Sequence, residues 1–204
     1  KLKEIKIYLD FAELMGNLQS QLNPGGINKI QVESSGKIED SKPIVLAFLK
    51  GFLSKRIPDR VNYINAETLA VDLGISVEHS YTNDSGSYTN LIRTKITGGE
   101  NHSLISGSVF EGGHPRLVNI LSYEMDLAPF GTMLFTWNKD VPGVIGSVGT
   151  VLGDANVNIG GYFLSRDMNN EKAFSVIRVD NKVSEEVLEA LQNIPEILSI
   201  QQIQ

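Results

Sequence analysis

The sequence predicts an α+β chain of two layered domains, residues 1–128 and 129–204. Three observations carry this. Apolar residues recur at helical spacing in the first part, the period changes to two from Ile75 onward, and everything after Pro129 runs strand, helix, strand, strand, helix, strand.

The elements follow in order. Leu9, Phe11, Leu14, Met15, Leu18 and Leu22 give Ile7 to Leu22 one apolar helical face, ended by Asn23-Pro24-Gly25-Gly26. Ile27 to Glu33 alternates as a half-buried strand does, closed by Ser34-Ser35-Gly36. Pro43 suits a first helical turn, and Ile44 to Leu53 continues as an apolar helix. A short extended piece, Val61 to Ile64, leads to a helix from Ala66 to Leu73 that Gly74 stops. Strands follow at Ile75 to His79, Leu91 to Ile96, Leu104 to Phe110 and Leu117 to Leu121. The turn clusters between them sit at hairpin-like intervals, so this sheet is expected to be antiparallel.

After Ala128-Pro129 the expected elements are strand Gly131 to Trp137, helix Pro142 to Asp154 and strands Val157 to Ser165 and Lys172 to Val179. Helix Ser184 to Leu191 follows, with Ser184 as N-cap, and strand Ile197 to Ile203 ends the chain. The order βαββαβ is the ferredoxin-like plan, a four-stranded antiparallel sheet with both helices on one face.

Composition narrows the function classes. No apolar run approaches the ~20 residues that span a bilayer, and a net charge of −6 disfavours nonspecific nucleic-acid binding. The absence of cysteine removes thiolate metal sites and disulfides and fits a cytoplasmic location. His79, His102 and His114 have neither metal spacing nor an acid partner in sequence, so no metal site and no catalytic histidine are expected.

The most informative stretch is Phe135 to Gly161. Its turn carries Asn138, Asp140, Pro142 and Gly143 before a helix that presents Val144, Val148, Val151 and Leu152 to the sheet. A helix start offers unpaired N–H groups and a positive dipole end to a small carboxylate. Asp140 would cap that helix or accept a ligand ammonium; Asx residues are common caps, so capping is the first reading. Asn158 would bond a ligand or satisfy the preceding turn. Gly143, Gly146 and Gly149 would let the helix approach the sheet or a neighbour closely. Their G-x-x-G-x-x-G spacing is not the dinucleotide-binding G-x-G-x-x-G, which excludes a nucleotide at this turn.

The turn N-K-D-V-P-G-V-I-G with L-G-D-A-N-V-N-I resembles the C-terminal ACT domain of the D-3-phosphoglycerate dehydrogenases. Tyr8 to Leu22 looks like the segment after the catalytic half of the long form, and Val61 to Ile75 resembles its intervening, allosteric-substrate-binding domain. The resemblance implies a regulatory fragment of an NAD-dependent oxidoreductase of L-serine biosynthesis. It implies feedback binding of L-serine, or another small amino acid, between paired ACT domains in a homodimer, within a parent that in this family can be tetrameric. Asn138 and Asp140 fall on the effector loop, Pro142, Gly143 and Val144 shape the helix start, and Asn158 with Ile159 comes from the second strand. The intervening domain in some relatives holds a phosphorylated acid. Arg116 falls on one such position and Ala128 replaces the family's second arginine; Arg93 and Lys95 share a strand face that would either substitute or simply be a solvated face of the sheet. The nicotinamide fingerprint and the histidine–carboxylate pair of the dehydrogenase are not in these 204 residues, so NAD and the chemistry are expected elsewhere in the parent. The alternative is a free-standing amino-acid sensor with no dehydrogenase attached.

Overall fold

The computed structural model describes residues 2–204. The chain divides into two compact units, Lys1–Ser122 with Asp126–Pro129, and Tyr123–Met125 with Phe130–Gln204.

In the first unit, α1 (Leu2–Leu22) and α2 (Ser41–Leu53) pack against each other. Met15, Phe48 and Phe52 of these helices are fully buried, and the Phe11 ring lies against Gly107 of the sheet. Glycines make the close approach feasible. A Cβ on Gly16 would overlap the Phe48 carbonyl, and one on Gly51 would overlap the Glu13 carbonyl. Asp40 caps α2 by accepting from the Lys42 N–H at 3.1 Å. Residues 61–64 are not extended as expected. The Asn62 side chain accepts from the N–H groups of Ile64 and Asn65, a local turn that delivers the chain into α3 (Ala66–Asp72).

The first sheet has six strands among the described residues. They are β1 (Lys29–Gly36), β2 (Ser76–Thr82), β3 (Asn90–Gly98), β4 (Asn101–Phe110), β5 (His114–Ile120) and β6 (Tyr123–Leu127), in the order β2-β1-β3-β4-β5-β6. It is mixed rather than antiparallel, because β1 and β2 run parallel. Their connection carries α2 and α3, the crossover that parallel neighbours need. The loop after Thr82 is therefore no hairpin: β2 and β3 lie on opposite sides of β1. Gln19 of α1, fully buried, bonds Thr94 and Ser103 and ties the helix to β3 and β4.

The second unit holds β7 (Thr132–Lys139), α4 (Val144–Asp154), β8 (Ile159–Asp167), β9 (Lys172–Val179), α5 (Glu185–Gln192) and β10 (Ile197–Ile203). Strand order is β10-β7-β9-β8 and every pairing is antiparallel, the ferredoxin-like arrangement. Leu134, Ile177 and Val179 meet Val144, Val148 and Leu152 of α4 and Leu191 of α5 in one core. Each such side chain contributes about 1.5–3 kcal/mol on burial. Ser184 caps α5 by accepting from the Val187 N–H. On the other face of the sheet Phe135 and Trp137 pack on Phe174, at centroid distances of 5.5 and 5.0 Å. No helix among the described residues is long and apolar enough to cross a membrane.

Candidate functional site

The site forms where β7 turns into α4. Leu134, Thr136 and Asn138 alternate onto the helix side of the sheet, with Leu134 in the apolar core and the two polar residues beyond it. Thr136 is fully buried and its hydroxyl has no partner among the described residues. Asn138 is 3% exposed; its Nδ2 donates to the Lys139 carbonyl at 2.7 Å, which fixes the amide orientation and leaves Oδ1 without a donor among the described residues. Ser175 lies opposite Thr136, against the Tyr162 phenol. Burial pushes the Tyr162 pKa up, and the Ser175 contact partly offsets that.

Asp140 does not cap α4. The N-cap is Gly143, at φ +92°, a conformation that favours glycine, and no side chain caps the helix. Asp140 sits three residues earlier and turns to β8 instead, where its Oδ2 accepts from Arg166 Nε at 2.7 Å. The first helical N–H groups of α4 are left with no side-chain acceptor. Pro142 and Gly143 are exposed, Val144 is buried, and Ile159 is half-buried. Gly146 and Gly149 have open space around their Cα atoms, so they bring α4 close to nothing within this chain.

Asn158 lies apart from this cluster. It donates to Asp180 Oδ2 at 2.8 Å, while the Asp180 N–H donates to its carbonyl. The register explains the separation: Ile159 pairs with Val179, whereas Arg166 and Asn138 both pair with Ala173. Asn158 and Asp140 thus stand at opposite ends of β8, which is an edge strand.

In the first unit, Arg93 and Lys95 of β3 line a groove of about 490 Å³ with Gln31, Glu33, Glu78 and His79. Arg93 is committed to Glu33 at 2.7 Å and to the Asp84 carbonyl at 3.0 Å. Arg116 pairs with Asp126 at 3.2 Å and is not part of the groove lining. The structure therefore brings together two of the three expected cations, and Lys95 is the one without a partner among the described residues. His79 bonds Ser41 and His102 bonds Thr97. No metal-binding group of three or more His, Asp and Glu occurs among the described residues.

Arg166 and Thr136 were not among the expected site residues. Arg166 is the one charged residue in the strand run Y-F-L-S-R, a signal in itself, but its link to Asp140 depends on the hairpin register.

A βαββαβ unit with a glycine-started helix, polar residues beneath it and a free edge strand is an ACT-type regulatory module. The ACT domain family model matches residues 132–196, and that of the D-3-phosphoglycerate dehydrogenase intervening domain matches residues 4–121. The chain belongs to the D-3-phosphoglycerate dehydrogenase family and corresponds to its C-terminal regulatory part. It is 30% identical to the D-3-phosphoglycerate dehydrogenase of Synechocystis over 95% of this chain and 35% of that protein. Identity to the Bacillus subtilis enzyme is 29%, and to that of Methanocaldococcus jannaschii 30%, each over 98% of this chain and 38% of the relative. The chain thus spans just over a third of the length of these relatives.

Proposed function

We propose that this chain is the effector-binding part of an NAD-dependent D-3-phosphoglycerate dehydrogenase of L-serine biosynthesis, and that L-serine binds between the ACT domains of two copies. The dehydrogenase chemistry and its NAD would belong to the remainder of the parent protein. The observation that carries this reading is the placement of Asp140 and Asn158 at opposite ends of one edge strand.

An edge strand presents unpaired N–H and C=O groups that a second copy can satisfy. If two β8 strands pair antiparallel about Phe163, the midpoint of Ile159–Asp167, the partner subunit's Asn158 falls beside the Arg166 end of this chain. Each two-fold pair then holds two equivalent sites, each built from Asn138 and Asp140 of one chain and the partner subunit's Asn158. The exposed Ile145 and Leu164, at 53% and 42%, lie on the helix and strand that such a pairing would cover. Serine would shift activity only by its difference in affinity between paired and relaxed arrangements.

Thermal melting and calorimetry with L-serine, glycine, L-alanine and L-threonine test this. Ligand at about 100 times its dissociation constant adds about 2.7 kcal/mol to native stability. Asn158→Ala should weaken L-serine binding with the fold intact. No shift at millimolar L-serine in a verified dimer would refute the reading.

A further inference from the structure

Three strands meet in register at the mouth of the site. Asn138, Ala173 and Arg166 form one cross-strand row. Alanine in the middle puts only a methyl group between an amide on one side and a guanidinium on the other. Asn138 contributes an orphaned acceptor, Oδ1, that is nine-tenths buried or more. Asp140 contributes a carboxylate whose side chain is 20% exposed, and Arg166 holds it through Nε alone. The two terminal nitrogens of Arg166 make no hydrogen bond or ion pair among the described residues, on a side chain that is 55% exposed.

This is a charge pattern matched to a zwitterion. Two acceptors, Asn138 Oδ1 and the Asp140 carboxylate, face an ammonium's needs, and a forked donor stands beside them with its paired edge free. A planar guanidinium suits a carboxylate bidentately, and such charge-assisted pairs are about twice as strong as neutral hydrogen bonds.

We propose that Arg166 is a specificity-determining residue of the effector site: it anchors the α-carboxylate of the bound amino acid while Asn138 and Asp140 take the ammonium. This rests on the amino-acid-binding reading above and adds to it a named carboxylate anchor on β8. Two roles for Arg166 make different demands. As a mere pin for Asp140 it would affect every ammonium-bearing ligand alike. As a carboxylate anchor it discriminates an amino acid from its amide.

The experiment is a thermodynamic cycle by calorimetry on the 204-residue chain, using L-serine and L-serinamide against the parent chain, Arg166→Gln and Arg166→Lys. The parent should prefer L-serine by about 10- to 100-fold, the range of a lost charged hydrogen bond. Arg166→Gln should erase most of that preference, and Arg166→Lys should keep part of it. An unchanged serine-to-serinamide ratio in Arg166→Gln, with L-serine still bound, overturns the inference and leaves the effector reading standing. Absence of L-serine binding to the parent dimer overturns both. Folding of each variant is checked by its melting transition; the exposure of Arg166 leaves room for both replacements.

Discussion

Replacing Gly51 with alanine probes the helix seam of the first unit most directly. In a helix interior the change by itself favours the folded state by about 0.5–1 kcal/mol. Here the new Cβ would overlap the Glu13 carbonyl and stand 3.1 Å from the Asn17 nitrogen. Both obstacles are backbone, so no side-chain rotation relieves them. The helices would have to separate, and Gly16 meets the Phe48 carbonyl in the same way one turn along the crossing. Separation would loosen Met15, Phe48 and Phe52, all without exposed surface. Overpacking of this kind costs about 1–3 kcal/mol, and rigid obstacles place it at the upper end. The net expectation is a loss of about 2 kcal/mol, read by urea or thermal unfolding as about 2–4 °C for each kcal/mol in a chain of this size. Gly153→Ala in α4 is the matched control. Nothing lies within 4 Å of a Cβ there, so the same substitution should leave the midpoint unchanged or raise it. A Gly51→Ala midpoint equal to or above the parent's would refute the close-approach argument.

Thr136→Val removes a buried hydroxyl that has no partner among the described residues. It should stabilise the second unit by about 1–2 kcal/mol, the cost of burying an unsatisfied polar group; a clear loss of stability in thermal unfolding would mean that the hydroxyl is satisfied. Glu78 has its pKa held below the ordinary range, first by its hydrogen bond to the Lys29 ammonium, and Asp167 likewise, first by the Asn170 amide. A carboxyl with a depressed folded-state pKa contributes stability above its unfolded value and loses it as pH falls through the folded one. Melting midpoints should therefore fall below about pH 4, where unfolded carboxylates protonate, and Glu78→Gln with Asp167→Asn should flatten that fall. An acid limb of unchanged slope in the double variant would count against both contacts.

The second unit was legible in outline because its signals are local. Lys172 to Val179 and Ile197 to Ile203 coincide with the observed strands, and Ser184 caps α5, since periodicity and cap chemistry act over a few residues. What escaped depends on long-range pairing. The parallel neighbour of β1 comes from residues 76–82, far along the chain, and no turn signal announces it. Strand β6 was hidden by its turn: Leu121 and Ser122 both adopt positive φ, 51° and 75°, without the Asn-Gly chemistry that marks such hairpins. At the site, Asn138 and Asp140 stood out by sequence, but the partner of Asp140 did not. Capping is a three-residue matter, whereas the Arg166 contact needs the β8–β9 register and a glycine that takes over the cap.

The distance along β8 between Asp140 and Asn158 has a consequence for mixed assemblies. On the two-fold β8 pairing proposed above, a chain carrying Asp140→Asn and a chain carrying Asn158→Ala would each be defective at both sites of their own homodimer. Combined in a heterodimer, the two lesions would fall into the same proposed site and leave the other with every group intact. Co-refolding the two variants should therefore restore L-serine binding at one site per heterodimer, with parental affinity, in the fraction of pairs that are hybrid. Genetic complementation between two inactive regulatory alleles would then follow from nothing more than the antiparallel run of an edge strand.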